Sequence, residues 1–389
     1  MLKELETYHR ARLITQAVKM EVRPERIPIL CNAWNWKYLD AGFTLSEALY
    51  SNKNIRTALM HYAKTYPTDV VFELGTRNPF SFTQYLGSDK HYIINDEIGG
   101  MNIVDESFLE PDEYDELIND PMTFIWEKFL PRKCKNLQTP ANGKAYIEGM
   151  DAFIKYLLNY VANQNIYKYV YGIPTLYDMD CPFYMMNGPD IMMDFMRGIK
   201  GLSRDMRRMP DKVKAACDAL DSIYEPDMAA YQGPHGHNRD CAFDGAMVYI
   251  AHTIMNPKQF EMYYWPGLQK AAEFAKEWDK TVLLFVEGDS ERLYPFFRQL
   301  PKGHFALLAE TNDVFKMRKE LPNICVAGGM PATMLGGSDV KTCVDYAKRL
   351  CEELGSDGGY IFSSDKMLSY PSDCKRENWK AVCEFVASY

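Results

Sequence analysis

The sequence predicts a (β/α)8 TIM barrel with a long insertion after the second strand, and three observations carry that expectation. Short apolar, β-branched runs recur near residues 27, 69, 168, 227, 281, 304, 324 and 359, each followed by a stretch of helical character. Parallel neighbours need crossover helices, so eight such units imply a closed parallel sheet more than an open one. No GxGxxG follows an early strand and no GxxxxGK[ST] occurs, so the nucleotide signatures of the competing doubly wound fold are missing. The 389 residues, 47% of them hydrophobic, suffice for one large barrel domain.

In chain order, residues 1–26 read as a helical prefix and 27–32 (IPILCN) as the first strand, which ends among Asn32, Trp34, Asn35 and Trp36. A helix at 55–65 leads to the second strand, 69–74 (DVVFEL), which delivers Glu73. Residues 76–165 are acidic and turn-punctuated and read as an insertion, a lid or partner-docking surface or else a structural cover. The alternating YKYVYG at 167–172 reads as strand three, and 227–232 as a weak strand four running into Gly233-Pro234-His235-Gly236-His237. Asn256-Pro257-Lys258-Gln259 is a capping box with proline at the first helical position, opening a helix to about residue 278.

The fifth strand, in TVLLFVEGDS at 281–290, breaks off in Glu287 and Asp289. Strands six and seven fall at 304–310 and 324–327. The helix at 339–354 carries one apolar stripe behind Ser338 as cap, and strand eight (359–362) precedes a last helix at 377–386.

Charge and cysteines narrow the function classes. A net charge of −9 with no Lys/Arg block argues against a nucleic-acid surface. No apolar run approaches the roughly 20 residues of a spanning helix, and the N-terminus lacks a signal-type core, so no membrane role is expected. Ten cysteines without a CxxC pair suit reduced thiols and a cytoplasmic location.

A barrel gathers its site at the C-terminal strand ends. On the strand positions above, that mouth would hold Asn32, Trp34 and Asn35, then Glu73, then His235 and His237, then Glu287 and Asp289, then Glu310, Asn312 and Asp313, and finally Asp365. Glu287 stands out, because an ionised carboxylate ending a buried strand is costly unless it is paired, metal-bound or functional. Asp289 and Asp313 can equally be helix caps, and the histidines can be solvated loop residues. Trp34 and Trp36 can be packing or the floor of an apolar pocket, and the Met pairs at 185–186 and 192–193 read as packing.

The order NPKQFEMYYWPGLQK, VLLFVEGD, NICVAGGMPATMLGGSDVKTCVDYAKRL, GGYIFSS, ENWKAV resembles the uroporphyrinogen decarboxylase superfamily, including its cobalamin-dependent methyltransferase branch, over most of residues 200–389. The resemblance implies the same barrel. The decarboxylases carry arginines after the first strand and a His after the last, where this chain has Cys31-Asn32-Ala33-Trp34-Asn35 and Ser364-Asp365-Lys366. A polycarboxylate substrate would lack its charge partners here. The thiol-methylating branch holds zinc with a His-x-Cys after strand five and a Cys after strand eight. The matching positions are Phe285, Glu287 and Asp365.

The resemblance therefore implies a corrinoid-linked methyltransferase that moves a methyl group between a small oxygen- or nitrogen-bearing substrate, as in O-demethylation in anaerobes, and cobalt. The corrinoid would belong to a partner protein, since no DxHxxG motif is present. Zinc would be held by Glu287, Asp365 and His235 or His237. Glu287, Asp365 and His237 would be catalytic, with Asn32, Trp34, Asn35, Glu73, Asp289 and Asp313 on the substrate. Two other classes stay open: a decarboxylase or lyase of a small acid or tetrapyrrole, and a non-catalytic ligand-binding barrel.

Overall fold

The protein is described by a computed structural model covering residues 2–72, 84–88, 92–138, 142–178, 180–182, 187–224 and 231–389. Its eight parallel strands are β1 (Leu30–Cys31), β2 (Val70–Val71), β3 (Thr175–Tyr177), β4 in two segments (Cys241–Phe243 and Gly245–Tyr249), β5 (Val282–Val286), β6 (Phe305–Ala309), β7 (Cys325–Met330) and β8 (Tyr360–Ser364). Ladders join β1 to β2, β3 to the first half of β4, and the second half of β4 through β5, β6 and β7 to β8. An Ile29–Phe362 bridge links β8 back to β1. β2 lies beside β3 with no ladder between them among the described residues.

Apolar burial follows the same circle. One cluster takes Leu30, Val70, Leu176, Ala246, Phe285, Leu308, Ala327 and Ile361, a side chain from each of the eight strands. A second, larger cluster takes the opposite strand faces with the surrounding helices. Two apolar faces on every strand explain why these strands read as continuous hydrophobic runs. The result is a TIM-barrel-like α/β fold.

Helix α1 (Leu2–Lys19) lies across the N-terminal ends of the strands. Its Ile14, Ala17 and Val18 enter the inner cluster, Arg10 donates to the Thr68 carbonyl at 2.6 Å, and Lys19 pairs with Asp279. The helical prefix is thus a cover for one end of the strands, which leaves the other end for a site.

Several expectations need correction. YKYVYG is not strand three. The chain is helical over α2 (Gly143–Ile166) and continues in a wider π-type turn, Tyr167–Tyr171, that stops at left-handed Gly172 (φ 66°). The alternation is local, whereas a helix already nucleated upstream extends at little cost; Tyr167 is buried and its hydroxyl donates to the Leu59 carbonyl at 2.7 Å. Strand three is the short β3 beyond that turn.

Of the expected fourth strand, residues 227–230 lie outside the described residues and 231–232 are irregular. The true β4 starts at Cys241, after the two histidines. The cap of α3 (Val340–Leu354) is Asp339, whose carboxylate accepts the Thr342 N–H at 2.8 Å, one residue beyond the expected Ser338. The capping box at Asn256 and Gln259 is present, with both reciprocal bonds at 3.0 Å.

The segment between β2 and β3 holds a hairpin (Tyr92–Asn95 with Gly100–Ile103), several short helices and α2. All ten cysteines are buried and none is in a disulfide among the described residues. Met192 and Met193 are core residues, whereas Met185 and Met186 lie outside the described residues. Among the described residues no helix is long and apolar enough to cross a membrane.

Candidate active site

Strand alternation decides which side chains reach the mouth. Leu283 and Phe285, Ala306 and Leu308, and Leu30 and Trp34 all belong to the inner cluster, so period two places Glu287, Glu310 and Asn32 on the same side. On β8, Ile361 is inside, which puts Ser363 and then Asp365 there as well.

Glu310 is the best-defined carboxyl of this set. Its Oε2 accepts the Gly288 N–H at 3.1 Å. Burial pushes its pKa up, with the negative charge of Asp365 adding to the effect, against lowering by the Gly288 and Met367 N–H groups and Lys366. Asp365 is also raised, chiefly by burial, although its Oδ1 accepts the Ala332 N–H at 2.9 Å and Lys366 adjoins it. Two carboxyls that hold protons above the usual range therefore face one mouth.

Glu287 is partly exposed, and its backbone is fixed on both sides. Its N–H donates to Tyr249 O at 3.1 Å, and its carbonyl accepts from His252 Nε2 at 2.6 Å. A carbonyl only accepts, so Nε2 carries the proton and Nδ1 is left to accept from the Arg292 guanidinium at 3.2 Å. The ring is neutral, in keeping with a pKa lowered to about 4, chiefly by burial.

The turn after β1 is held by the buried Lys37, whose ammonium donates to the carbonyls of Ala33 and Trp34 at 3.0 and 2.9 Å. Trp34 Nε1 donates to Asn32 Oδ1 at 3.1 Å, which fixes the amide's orientation and leaves Asn32 Nδ2 as its donor. Among the described residues that Nδ2 is buried without a partner, and so is the hydroxyl of Ser363 on the adjoining β8. Two such atoms on neighbouring strands are candidates to bond a ligand or a water. Trp34, Phe72 and Phe285 form an aromatic wall with centroid spacings of 6.0 and 5.4 Å.

Other expected residues go elsewhere. Asn35 is buried and starts the short helix Trp36–Asp40 without a side-chain cap bond. Asp289 is exposed and accepts the Glu291 N–H at 2.8 Å and the Asn312 amide at 3.1 Å. Asp313 caps the helix Val314–Glu320, accepting the Phe315 and Lys316 N–H groups at 2.9 and 3.1 Å. Asp313 thus follows the capping alternative, whereas Asp289 closes the turn ahead of the short helix Glu291–Leu293, whose N-cap is Ser290. Glu73 lies outside the described residues.

The histidines are the main correction. His235 Nε2 meets the Glu277 carbonyl at 2.7 Å, and His237 Nδ1 meets Asp244 at 3.0 Å and Thr281 Oγ1 at 3.2 Å, all at the N-terminal end of β5. Six residues at about 3.3 Å each separate Thr281 from Glu287, roughly 20 Å, whereas zinc ligands sit about 2 Å from the metal. The expected ligand set of Glu287, Asp365, His235 and His237 cannot share an ion. Among the described residues no three His, Cys, Asp or Glu side chains are grouped to hold one.

The sequence had placed Glu310 at a strand end without a role, and it had passed over Ser363 and His252. The signal for His252 was the apolar run at 245–249, which, read as the fourth strand, puts a histidine at its C-terminal end.

The family described as uroporphyrinogen decarboxylase matches residues 183–389, more than half of the chain. A solved methyltransferase from Methanosarcina mazei superposes with a TM-score of 0.61 over 97% of each chain at 14% identity, a likeness of fold. No curated protein matches the chain in sequence. Matched from just before the helices that precede β4 to its last residue, this chain belongs to the uroporphyrinogen decarboxylase family.

Proposed function

We propose that the protein is a methyltransferase that moves a methyl group between a small oxygen- or nitrogen-bearing substrate and the cobalt of a corrinoid carried by a partner protein. The observation that carries this reading is the pair of raised carboxyls, Glu310 and Asp365, in a mouth whose β1 turn offers Asn32 and Trp34. A macrocycle with many carboxylates would find carboxyl groups there instead of the arginines that could pair with it. The shared fold with a protein named as a methyltransferase supports the same branch.

Corrinoid cobalt would supply the electron pair that takes the methyl carbon, and the protein's residues would do the rest. As the bond from methyl to heteroatom breaks, its electron pair stays on the heteroatom, which needs a proton. The Glu310 carboxyl, whose pKa burial raises, donates it, and Asp365 is the alternative donor. In the reverse direction the carboxylate removes the acceptor's proton. Asn32 Nδ2 and Ser363 Oγ bond the substrate's polar atoms, while Trp34, Phe72 and Phe285 exclude water. Glu287, fixed through its backbone by His252, orients the substrate from the fifth strand. No step passes through zinc, because the expected ligands do not converge.

The same proton donors would also serve a lyase that protonates a carbanion after loss of carbon dioxide. Mixing the protein with cobalt(I) cobalamin and a panel of methyl ethers and methylamines tests the first reading through the methylcobalamin absorbance. A silent panel alongside carbon dioxide release from small acids would replace it with the second.

A further inference from the structure

We infer that Asp190 is a positioning residue of the mouth: its carboxyl holds the turn after β4 so that His252 meets the Glu287 carbonyl. Only the kinetic consequence rests on the mouth being the site of methyl transfer. The reason for the residue lies in the barrel wall. β3 pairs with β4 as far as Tyr177 opposite Phe243, and from Gly245 onward β4 has a ladder to β5 alone among the described residues. Gly245 and Tyr249 turn their backbone groups to β5, where the Gly245 N–H meets the Thr281 carbonyl and the Tyr249 carbonyl accepts the Glu287 N–H, each at 3.1 Å. Alternation turns Val248 and Ile250 to the opposite edge. Side chains stand there in place of a strand. Asn187 Nδ2 donates to the Val248 carbonyl at 3.0 Å, and Asp190 Oδ1 accepts the N–H groups of Ile250 and Ala251 at 2.9 and 2.8 Å. These backbone groups would otherwise be left without the partners that burial demands.

Asp190 is completely buried in the short helix Gly188–Ile191. Its other bonds come from the Tyr264 hydroxyl and from the backbone and amide N–H groups of Asn187, at 3.4 and 3.3 Å. Every one of these donors is neutral, and burial pushes the carboxyl's pKa up against them. A buried carboxyl held without a cation is costly, so packing alone does not account for it. What it fixes is the start of the turn Ala251–Ile254, and His252 is the next residue. The fully buried His252 ring reaches the Glu287 carbonyl at 2.6 Å, and the Gly288 N–H goes on to Glu310. One run of hydrogen bonds thus leads from Asp190 through the ends of β4 and β5 to the proposed proton donor.

The test needs no substrate. In the full chain labelled with nitrogen-15 at its seven histidines, the His252 ring signal is the one that disappears in His252→Asn. The wild type should show the Nε2-protonated tautomer with a slowly exchanging ring proton. Asp190→Asn keeps the volume but turns an N–H donor onto Asn187. With circular dichroism unchanged, its His252 ring proton should exchange about tenfold faster, the worth of one hydrogen bond. Its kcat for methyl transfer should fall about tenfold at unchanged KM. A wild-type exchange rate in the folded variant overturns the inference, and so does an unchanged kcat beside a freed ring. If Asp190→Asn does not fold, Tyr264→Phe decides, since it removes one donor and leaves the carboxyl in place. Faster exchange is expected there too, and a wild-type rate overturns the inference. Absence of turnover in the wild type would remove the methyl-transfer reading and leave the ring proton to decide the role of Asp190.

Discussion

The N–H of Gly288, the residue after Glu287, donates to the carboxyl of Glu310 at 3.1 Å and so ties the turn beyond β5 to the residue beyond β6. Such a bond favours the ionised form, yet burial outweighs it and the carboxyl keeps its proton to higher pH. A general acid with that property loses activity on the alkaline side. The expected kcat/KM profile falls as pH rises through the raised pKa of Glu310. Glu310→Gln should lower kcat/KM by about 10²–10⁴ and abolish that limb. An unchanged profile in the variant would remove Glu310 from the chemistry.

The same shift has a stability consequence of opposite sign. A carboxyl whose folded pKa is raised stabilises the fold fully only below its unfolded value, and that contribution is lost as pH rises through the folded one. At neutral pH Glu310 is thus a burden on the fold. Glu310→Gln should melt at a higher temperature than the wild type near pH 7, with the difference closing below about pH 4. Thermal scans at the two pH values check it, and a variant that melts lower at both would contradict the burial argument.

His252 shows the reverse linkage. Its folded pKa is lowered from 6.5 to about 4, so its contribution is complete above the unfolded value and is lost as pH falls toward the folded one. A depression of that size corresponds to roughly 3 kcal/mol. His252→Asn should flatten the loss of stability between about pH 7 and 4, and should reduce kcat by roughly tenfold through the freed Glu287 carbonyl. Denaturant melts at several pH values read the first effect and steady-state rates the second.

What was legible in the sequence follows from how local each signal is. The described side chains of the strands Val282–Val286, Phe305–Ala309, Cys325–Met330 and Tyr360–Ser364 are buried on both faces, so composition alone marks them, and Glu287 and Asp365 stand at their ends. Glu310 was placed but given no role, because its raised pKa depends on neighbours from β5 and β8. The stretch between β2 and β4 misled because its cues conflict with long-range facts. Tyr167–Tyr171 alternates like a strand but belongs to a helix, and Cys241–Tyr249 is broken by Asp244, a buried carboxylate inside a strand. Reading strand four too early moved two histidines to the wrong end of the fold and hid His252 at the right one.

Asn32 and Ser363 carry a prediction that separates binding from folding. Both hold buried polar atoms without a partner among the described residues, and such atoms cost the fold free energy. Ser363→Ala should leave the melting temperature unchanged or raised, yet increase KM by about tenfold, the worth of one hydrogen bond. Asn32→Asp should be worse, since it replaces the donor by an acceptor on the side of the barrel that Glu310 and Asp365 also face. If Ser363→Ala lowers stability and leaves KM alone, the hydroxyl is structural.

The histidines at the other end are predicted to matter for the fold alone. Burial would raise the Asp244 carboxyl, but His237 and the N–H groups of Asn238 and Thr281 together hold it below the usual range. Lys280, also fully buried, sits 3.9 Å away and donates to the carbonyls of Pro234 and Gly236 at 2.8 and 2.7 Å. His237→Ala removes one partner and leaves a buried carboxylate with weaker compensation, at a cost of about 1–3 kcal/mol. A folded pKa held low contributes stability above the unfolded value that is lost as pH falls, so the variant's deficit should shrink in acid. At neutral pH the surviving folded enzyme should keep wild-type kcat and wild-type metal content, because the residue stands roughly 20 Å from Glu287. Loss of kcat at full occupancy of the folded state would return His237 to the active site.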